Sequence, residues 1–469
     1  MVSNTIQTHD PALLKGFPTD DARVHFVGIA GSGMSALADY RLQAGGCTSG
    51  SDRYFDRGEE EMERARLLRR GVAVHPQDGS GVAGACCVVA STAVEAAIPD
   101  LETARQLGVP ILRRAEWLAL EVERRRTIAV GGTSGKSTVV AMIFEMLEGL
   151  GQRPGLITGG DLLRLRRGDF RGNACFGDTD APLIIEADES DRSLTAYRPA
   201  IGVVLNLHRD HEEPELLIPV FETFKERCTE GFVTGDGPLL RSLRKHALVF
   251  GEGEKADFQG KILEDNAVGA RLEVQGVEVQ LGFPGRHNAA NALAALAVAQ
   301  TLGLDVAEAA AALARCRGVH RRFQILGSPR GIEVIDDFAH NPTKVQAALR
   351  TAKPRARRLH AVFQPHGFTQ TARLLHDYVD VFAEELDSED TLHILDIYYA
   401  GGTVDRVIST DDVVKALRER GVNAFRAACR VELGLRLAND GREGDVVLLM
   451  GARDPSLGPY ARELHDRLL

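Results

Sequence analysis

Ile128-Ala-Val-Gly-Gly-Thr-Ser-Gly-Lys-Ser-Thr-Val-Val140 is the stretch from which the fold of this chain is read. An apolar run enters a glycine-rich turn, the turn ends in Lys136-Ser137-Thr138, and an apolar, helix-favouring segment follows from Val139 to Leu150. The order is strand, phosphate loop, helix. Glycines let backbone N–H groups turn inward around phosphate oxygens, and the helix presents its positive end to them. On this pattern Gly132, Thr133, Ser134, Gly135, Lys136, Ser137 and Thr138 wrap a nucleotide triphosphate. Lys136 reaches the β- and γ-phosphates and the Ser137 hydroxyl ligates Mg²⁺. The usual pattern has glycine where Val130 stands, so this loop is one residue shorter. The competing interpretation is a tight turn that binds nothing; the flanking strand and helix weigh against it.

Downstream, the buried run Leu183-Ile-Ile185 ends in Glu186-Ala-Asp-Glu-Ser-Asp191. Carboxylates just past a strand, in a domain with a phosphate loop, are a common way to hold Mg²⁺ through oxygen. A further strand, Ile201 to Leu207, runs into His208-Arg209-Asp210-His211, which makes His211 a candidate metal or phosphate contact. Gly285-Arg-His-Asn288-Ala-Ala-Asn291 opens an Ala/Leu-rich helix. Its two amides, three residues apart, share a face and suit the edge of an adenine. Upstream, the strand Arg23 to Val27 enters Gly28-Ile-Ala-Gly31-Ser32-Gly33-Met34-Ser35 and a helix, Ala36 to Ala44. Asp52, within Ser49-Gly-Ser51-Asp52, follows at a spacing that suits a ribose contact. The glycine spacing is not the dinucleotide pattern, so this loop fits a nucleotide-diphosphate site and an NAD site almost equally. Ser91 ends another strand of that region, where ligands of parallel sheets sit.

Strands and helices alternate throughout, so the sheets are expected to be parallel with helices on both faces. Three units are expected: 1–122, 123–317 and 318–469, with Arg-rich Glu121 to Arg126 as the first linker. The third carries Arg321-Arg322-Phe323, a strand ending in Asp336-Asp337-Phe338, then Ala339-His340-Asn341-Pro342 opening a helix, and Gln364-Pro-His366 after a later strand. The 469 residues suit about three domains, and 44% apolar with 26% charged content is ordinary for a soluble globular chain. A net charge of −10 argues against a general nucleic-acid binder. No apolar run reaches membrane-spanning length, the polar first ~20 residues lack a signal-peptide core, and 7 scattered cysteines without C-x-x-C suit a reduced cytoplasmic setting.

The whole set, in this order, resembles the Mur ligases of bacterial peptidoglycan synthesis. The resemblance implies three α/β domains: a Rossmann-like N-terminal domain, a central P-loop ATPase-like domain and a Rossmann-like C-terminal domain. It implies amide formation through an acyl phosphate. The carboxylate of UDP-N-acetylmuramate attacks ATP, and an amino acid, L-alanine by resemblance, then takes the acyl group in a monomer or homodimer. UDP-sugar binding falls to Gly31, Ser32, Gly33, Met34, Ser35, Ser51, Asp52 and Ser91. Ser137, Glu186 and His211 are assigned to metal, and Asn288 and Asn291 to adenine. Arg322 and Asp337 would reach from the third domain to phosphate and ribose. Lys136, Glu186, His211, Arg322 and His340 form the catalytic set, and His340, Asn341 and His366 the amino-acid pocket.

Departures from the family pattern concern the amine. Gly367 and Gln370 stand where arginines are usual, Phe338 for Tyr, Asn341 for His and Arg453 for Gly; Ser134 and Ser137 replace His and Thr in the phosphate loop. Arg grips a carboxylate with a bidentate fork that Gly and Gln lack. The alternatives are therefore a paralogue using another amine or carboxylate, or a nucleotide-binding protein without ligation. An NAD-dependent oxidoreductase would account for the first glycine loop alone. Lys225 is positioned for a carbamylated metal-supporting lysine, but a surface helix residue is expected there.

Overall fold

A computed structural model describes residues 21–91, 94–208, 213–265, 269–399 and 406–469. The loose arm expected over the first ~20 residues, and His211, lie outside them. The chain forms two compact units: 1–261 with 272–279 and 290–318, and 262–271 with 280–289 and 319–469.

The first unit opens with a parallel sheet of β1 (Val24–Val27), β2 (Thr48–Ser51), β3 (Ala73–His75), β4 (Cys87–Ala90) and β5 (Ile111–Arg113), in the order β3-β2-β1-β4-β5. Successive strand residues point to opposite faces. Val24, Phe26, Cys87 and Val89 accordingly enter one apolar cluster, and Val27, Val88 and Ala90 enter another. Burial on both faces explains why these strands are short apolar runs rather than alternating ones.

A second sheet follows. Its strands are β6 (Thr127–Gly131), β7 (Gly155–Ile157), β8 (Ala174–Cys175), β9 (Leu183–Glu186), β10 (Ile201–Val204), β11 (Gly231–Gly235), β12 (Leu248–Gly251), β13 (Phe258–Asp265), β14 (Ala270–Val274) and β15 (Val277–Gln280). They lie in the order β15-β14-β13-β12-β11-β10-β6-β9-β7-β8, with β6 between β10 and β9. One apolar cluster runs continuously from Val24, Phe26 and Trp117 to Ile185, Leu217 and Phe221, so both sheets share a core.

The stretch Glu121 to Arg126, expected as the first linker, is well anchored. Glu121 to Arg124 is the last turn of the helix Arg114–Arg124. The Arg125 guanidinium donates to Tyr40 Oη (3.0 Å), to the carbonyl oxygen of Ala181 (2.7 Å) and to those of Phe176 and Asp178. An Arg-rich run reads as solvated, but here Arg125 finds carbonyls to fill its fork.

The second unit holds β16 (Gln324–Gly327), β17 (Glu333–Asp337), β18 (Leu359–Phe363), β19 (Thr391–Leu395), β20 (Ala424–Ala427) and β21 (Val446–Met450), ordered β16-β17-β21-β18-β19-β20. Only the β16–β17 pair is antiparallel. The last strand inserts between β17 and β18, so the chain reverses direction across the sheet there. Their carboxyl ends are a topological switch point, where ligands of open α/β sheets bind. Phe363 and Met450 stand in register, as do Asp337 and Met450.

Candidate functional site

In the first unit the phosphate loop leaves the carboxyl end of β6. Gly131 lies in register with Val204 of β10, and Val130 with Glu186 of β9, so the loop and the acidic run emerge from neighbouring parallel strands. Gly132 has φ +127° and Gly135 φ +87°. A Cβ on Gly132 would sit 3.1 Å from Leu205 N, and one on Gly135 2.5 Å from Asn291 Oδ1, so both positions demand glycine. Gly135 caps the helix Lys136–Gly149.

Asn206 braces the loop: its Oδ1 accepts from Thr133 Oγ1 and Ser134 N (3.0 Å each), and its Nδ2 donates to the Ser134 carbonyl at 3.0 Å. Sequence inspection passed over Asn206, though a polar residue inside the run Leu205-Asn206-Leu207 is the signal that marks it. Lys136 Nζ donates to the carbonyl of Gly132 (2.8 Å) and to Glu189 Oε2 (2.6 Å). Burial opposes its charge, but Glu189 and Asp188 outweigh that and hold the ammonium above its ordinary pKa. Ser137 is buried in the first helical turn, and the Thr158 hydroxyl donates to Glu186 Oε1.

The other glycine loop leaves β1 at the switch point between β1 and β4. Gly31 precedes the helix Ser32–Gln43, whose first turn holds Gly33, Met34 and Ser35. Ser91, just past β4, lies beside the loop: a Cβ on Gly28 would sit 3.1 Å from Ser91 Cβ. Asp52 Oδ2 accepts from Ala30 N (2.9 Å) and Oδ1 from Tyr54 N (3.0 Å), so its carboxylate holds the loop and caps the helix Arg53–Asp56. Burial raises its pKa against those two hydrogen bonds. Ser51 donates to Asp100, which also accepts from Gly79 N at 2.7 Å and lies 3.4 Å from His25 Nε2. Arg114 passes 3.3 Å from where a Gly33 Cβ would be and pairs with Asp191 at 3.2 Å. Asn291 lies against Gly135, as above, while Asn288 Nδ2 donates to the Pro284 carbonyl at 2.6 Å.

In the second unit Arg321 and Phe323 take left-handed φ of +57° and +47°. Arg321 Nε donates to both Asp336 oxygens, at 3.0 and 3.1 Å, and its Nη2 donates to the Gly451 carbonyl at 2.8 Å. Arg322 lies 5.1 Å over the Phe338 ring. Asp337 accepts from Phe323 N and Ala339 N at 2.6 Å each, and burial, opposed by Arg322, pushes its carboxyl up to about 6.

His340 Nδ1 donates to the Phe338 carbonyl at 2.8 Å, which fixes the proton on Nδ1 and the lone pair on Nε2. Burial, then Lys344, lowers the His340 pKa to about 3, so the ring is a neutral acceptor. His366 lies 5.5 Å from it, ring to ring. Asn341 caps the helix Pro342–Ala352 through Lys344 N at 2.9 Å. Gly367 has φ +69° at the start of the helix Phe368–Glu385. A side chain there would be strained. Arg453 is exposed, three residues past β21.

Residues 23–126 match the Mur ligase family catalytic domain, 130–299 the Mur ligase middle domain and 321–453 the Mur ligase glutamate ligase domain. UDP-N-acetylmuramate–L-alanine ligase of Streptomyces avermitilis is 37% identical, covering 97% of this chain and 99% of its own length. The chain belongs to the Mur ligase family. The enzyme of the same description from Renibacterium salmoninarum is 36% identical over 93% of this chain and 94% of its own. The solved UDP-N-acetylmuramate–alanine ligase of Thermotoga maritima superposes with a TM-score of 0.78 at 28% identity, covering 95% of this chain and 98% of that one. A murein peptide ligase from Psychrobacter arcticus shares the fold at TM-score 0.64, over 95% of this chain and 98% of its own.

As a Mur ligase the chain is an ATP-dependent acid–amino-acid ligase of peptidoglycan precursor synthesis. The donor set at the glycine loop after β6 suits the family's Mg²⁺: a serine hydroxyl and carboxylates, all hard oxygens. Among the described residues no helix is long and apolar enough to cross a membrane. Lys225 Nζ donates to the carbonyls of Leu243 and Lys245, which ties it to the neighbouring turn.

Proposed function

We propose that this Mur ligase joins the carboxylate of UDP-N-acetylmuramate to L-alanine in the cytoplasm, using ATP, in three domains bounded at 122 and 317. What carries the proposal is that one unit holds, at neighbouring sheet ends, a diphosphate loop at a β1–β4 switch point and a phosphate loop flanked by Glu186. Relatives named for this substrate pair are similar along nearly the whole chain.

The loop Gly31 to Ser35 receives the UDP diphosphate at the start of its helix, with Ser91 beside it and Asp52 and Ser51 fixing its shape. Gly132 to Thr138 cradle the ATP phosphates, and Lys136 leaves Glu189 for the β/γ-phosphates. Ser137 and Glu186, with His211, would hold Mg²⁺, which when bound supplies positive charge against the transferring phosphoryl. The substrate carboxylate attacks the γ-phosphorus, ADP leaves, and the acyl phosphate is open to the amine. Asn288, Asn291, Arg322 and Asp337 are assigned to adenine, phosphate and ribose. Neutral His340, with its Nε2 lone pair, accepts a hydrogen bond from the incoming amine, and His366 and Asn341 complete that pocket; the proton that the amine loses as the amide forms leaves with the departing phosphate.

The test is phosphate release from ATP with Mg²⁺ and UDP-N-acetylmuramate, scanned over amino acids. L-alanine is expected to give the highest kcat/KM. Gly367 and Gln370 favour a second reading, a ligase with another amine, and a clear lead for glycine, L-serine or any other amino acid establishes it instead.

A further inference from the structure

Asn173 received no role from the sequence, yet it is 1% exposed and touches both substrate loops' supports. Its Nδ2 donates to the Ser32 carbonyl at 3.0 Å and to Ser35 Oγ at 3.3 Å, in the first turn of the helix behind the first glycine loop. Its backbone carbonyl accepts from Thr158 N at 3.0 Å, extending the antiparallel β7–β8 pair by one step. The Thr158 hydroxyl then donates to Glu186 Oε1 and accepts from Gly160 N at 3.2 Å. Its Oδ1 is buried and accepts no hydrogen bond among the described residues. A buried amide left half-satisfied is uncommon in a merely structural position.

We propose that Asn173 is a positioning residue that couples the nucleotide-sugar loop to Glu186, so that filling one sets the other. The physical link is short and stiff. Ser32 and Ser35 fix the amide, the amide fixes the two-strand ribbon, and the ribbon carries Thr158, which aims one carboxylate oxygen of Glu186 and leaves the other for the phosphoryl end. The inference rests on the substrate pair proposed above. It adds that the sugar-nucleotide KM and the Mg²⁺ requirement are linked through this chain.

The experiment uses full-length protein with ATP, Mg²⁺, UDP-N-acetylmuramate and L-alanine. Asn173→Asp keeps the shape but removes the donor; Thr158→Val cuts the link at its other end. Each is expected to raise both the sugar-nucleotide KM and the Mg²⁺ concentration for half-maximal rate by about three- to tenfold, the worth of one buried hydrogen bond. The double variant should be no worse than the worse single one. Thr158→Val touches no group of the first glycine loop, so its effect on the sugar-nucleotide KM is the readout a structural role would not move. If each variant shifts only the parameter of its own end, or the effects multiply in the double variant, the coupling is overturned. A wild type that releases no phosphate with any amine overturns the substrate pair and the coupling with it, and so is distinct from a working wild type with indifferent variants.

Discussion

Removing the carboxylate of Asp336 should be among the most destabilising single changes in the second unit. The Asp336 and Arg321 side chains are 1% and 9% exposed, and the Arg321 Nε lies within 3.1 Å of both Asp336 oxygens. Asp336→Ala leaves the guanidinium buried with, among the described residues, the Gly451 carbonyl as its remaining hydrogen-bond acceptor. Breaking a buried pair from one side costs about 3–5 kcal/mol, because the remaining charge keeps its desolvation penalty. For a unit of this size each kcal/mol moves the melting temperature by roughly 2–4 °C, so a fall of about 6–20 °C is expected. Calorimetry at pH 7.5 reads it. The double variant Arg321→Met/Asp336→Leu should recover most of the loss, since Asp336 shares its face of β17 with buried Val334 and stands opposite Leu449. A single variant melting within about 2 °C of the parent, or a double variant as unstable as the single one, would refute the assignment of the cost to a stranded charge.

Lys136→Met should lower kcat by about a thousandfold in the phosphate-release assay, the scale of losing one charge-stabilising group; a loss under tenfold counts against Lys136 at the transferring phosphate. Burial, then His360, pushes His393 down to about 3, so the folded chain stays neutral there while the unfolded chain takes a proton below about 6.5. Its stabilisation is present above that pH and is lost as pH falls toward 3, with a limiting slope of about 1.4 kcal/mol per pH unit. His393→Gln should flatten the urea midpoint between pH 6.5 and 4.5, and an unchanged slope would show that His393 is not its source. Gly367→Arg restores the family side chain at φ +69°, at a cost of about 1–3 kcal/mol. It should lower the melting temperature without lowering the KM for L-alanine; a lower KM would show that the backbone adapts.

The sheets were legible because each strand buried on both faces is a short apolar run, and several end in glycine or acid. The helix beginning at Pro342 was placed to the residue at that end. Two helices begin earlier than their apolar periodicity predicts: Ser32 rather than Ala36, and Lys136 rather than Val139. Loop residues that bend over a ligand site also form the first helical turn. What stayed hidden depends on partners far away in sequence. Asn206 and Glu189 act on the phosphate loop from 72 and 53 residues away. Asn173 reaches Ser32 across 141 residues. Asp52 was read as a ribose contact from its spacing, and the two bonds it accepts from backbone amides could not be seen there. At Glu121 to Arg126 the charge pattern says nothing about which carbonyls wait nearby, so the packing of Arg125 was hidden for the same reason.

The shared core of the first two sheets bears on how this protein can be divided. A chain cut after residue 122 would retain Val24, Phe26 and Trp117 but lose Ile185, Leu217 and Phe221, which complete their cluster. It would also lose the Arg125 staple on Tyr40. Such a fragment exposes an apolar face on one side of a parallel sheet, the kind of surface that drives chains to clump rather than fold. The first sheet with its glycine loop is thus not a detachable cartridge. Transplanting it into another ligase requires carrying across the wall of the neighbouring sheet as well.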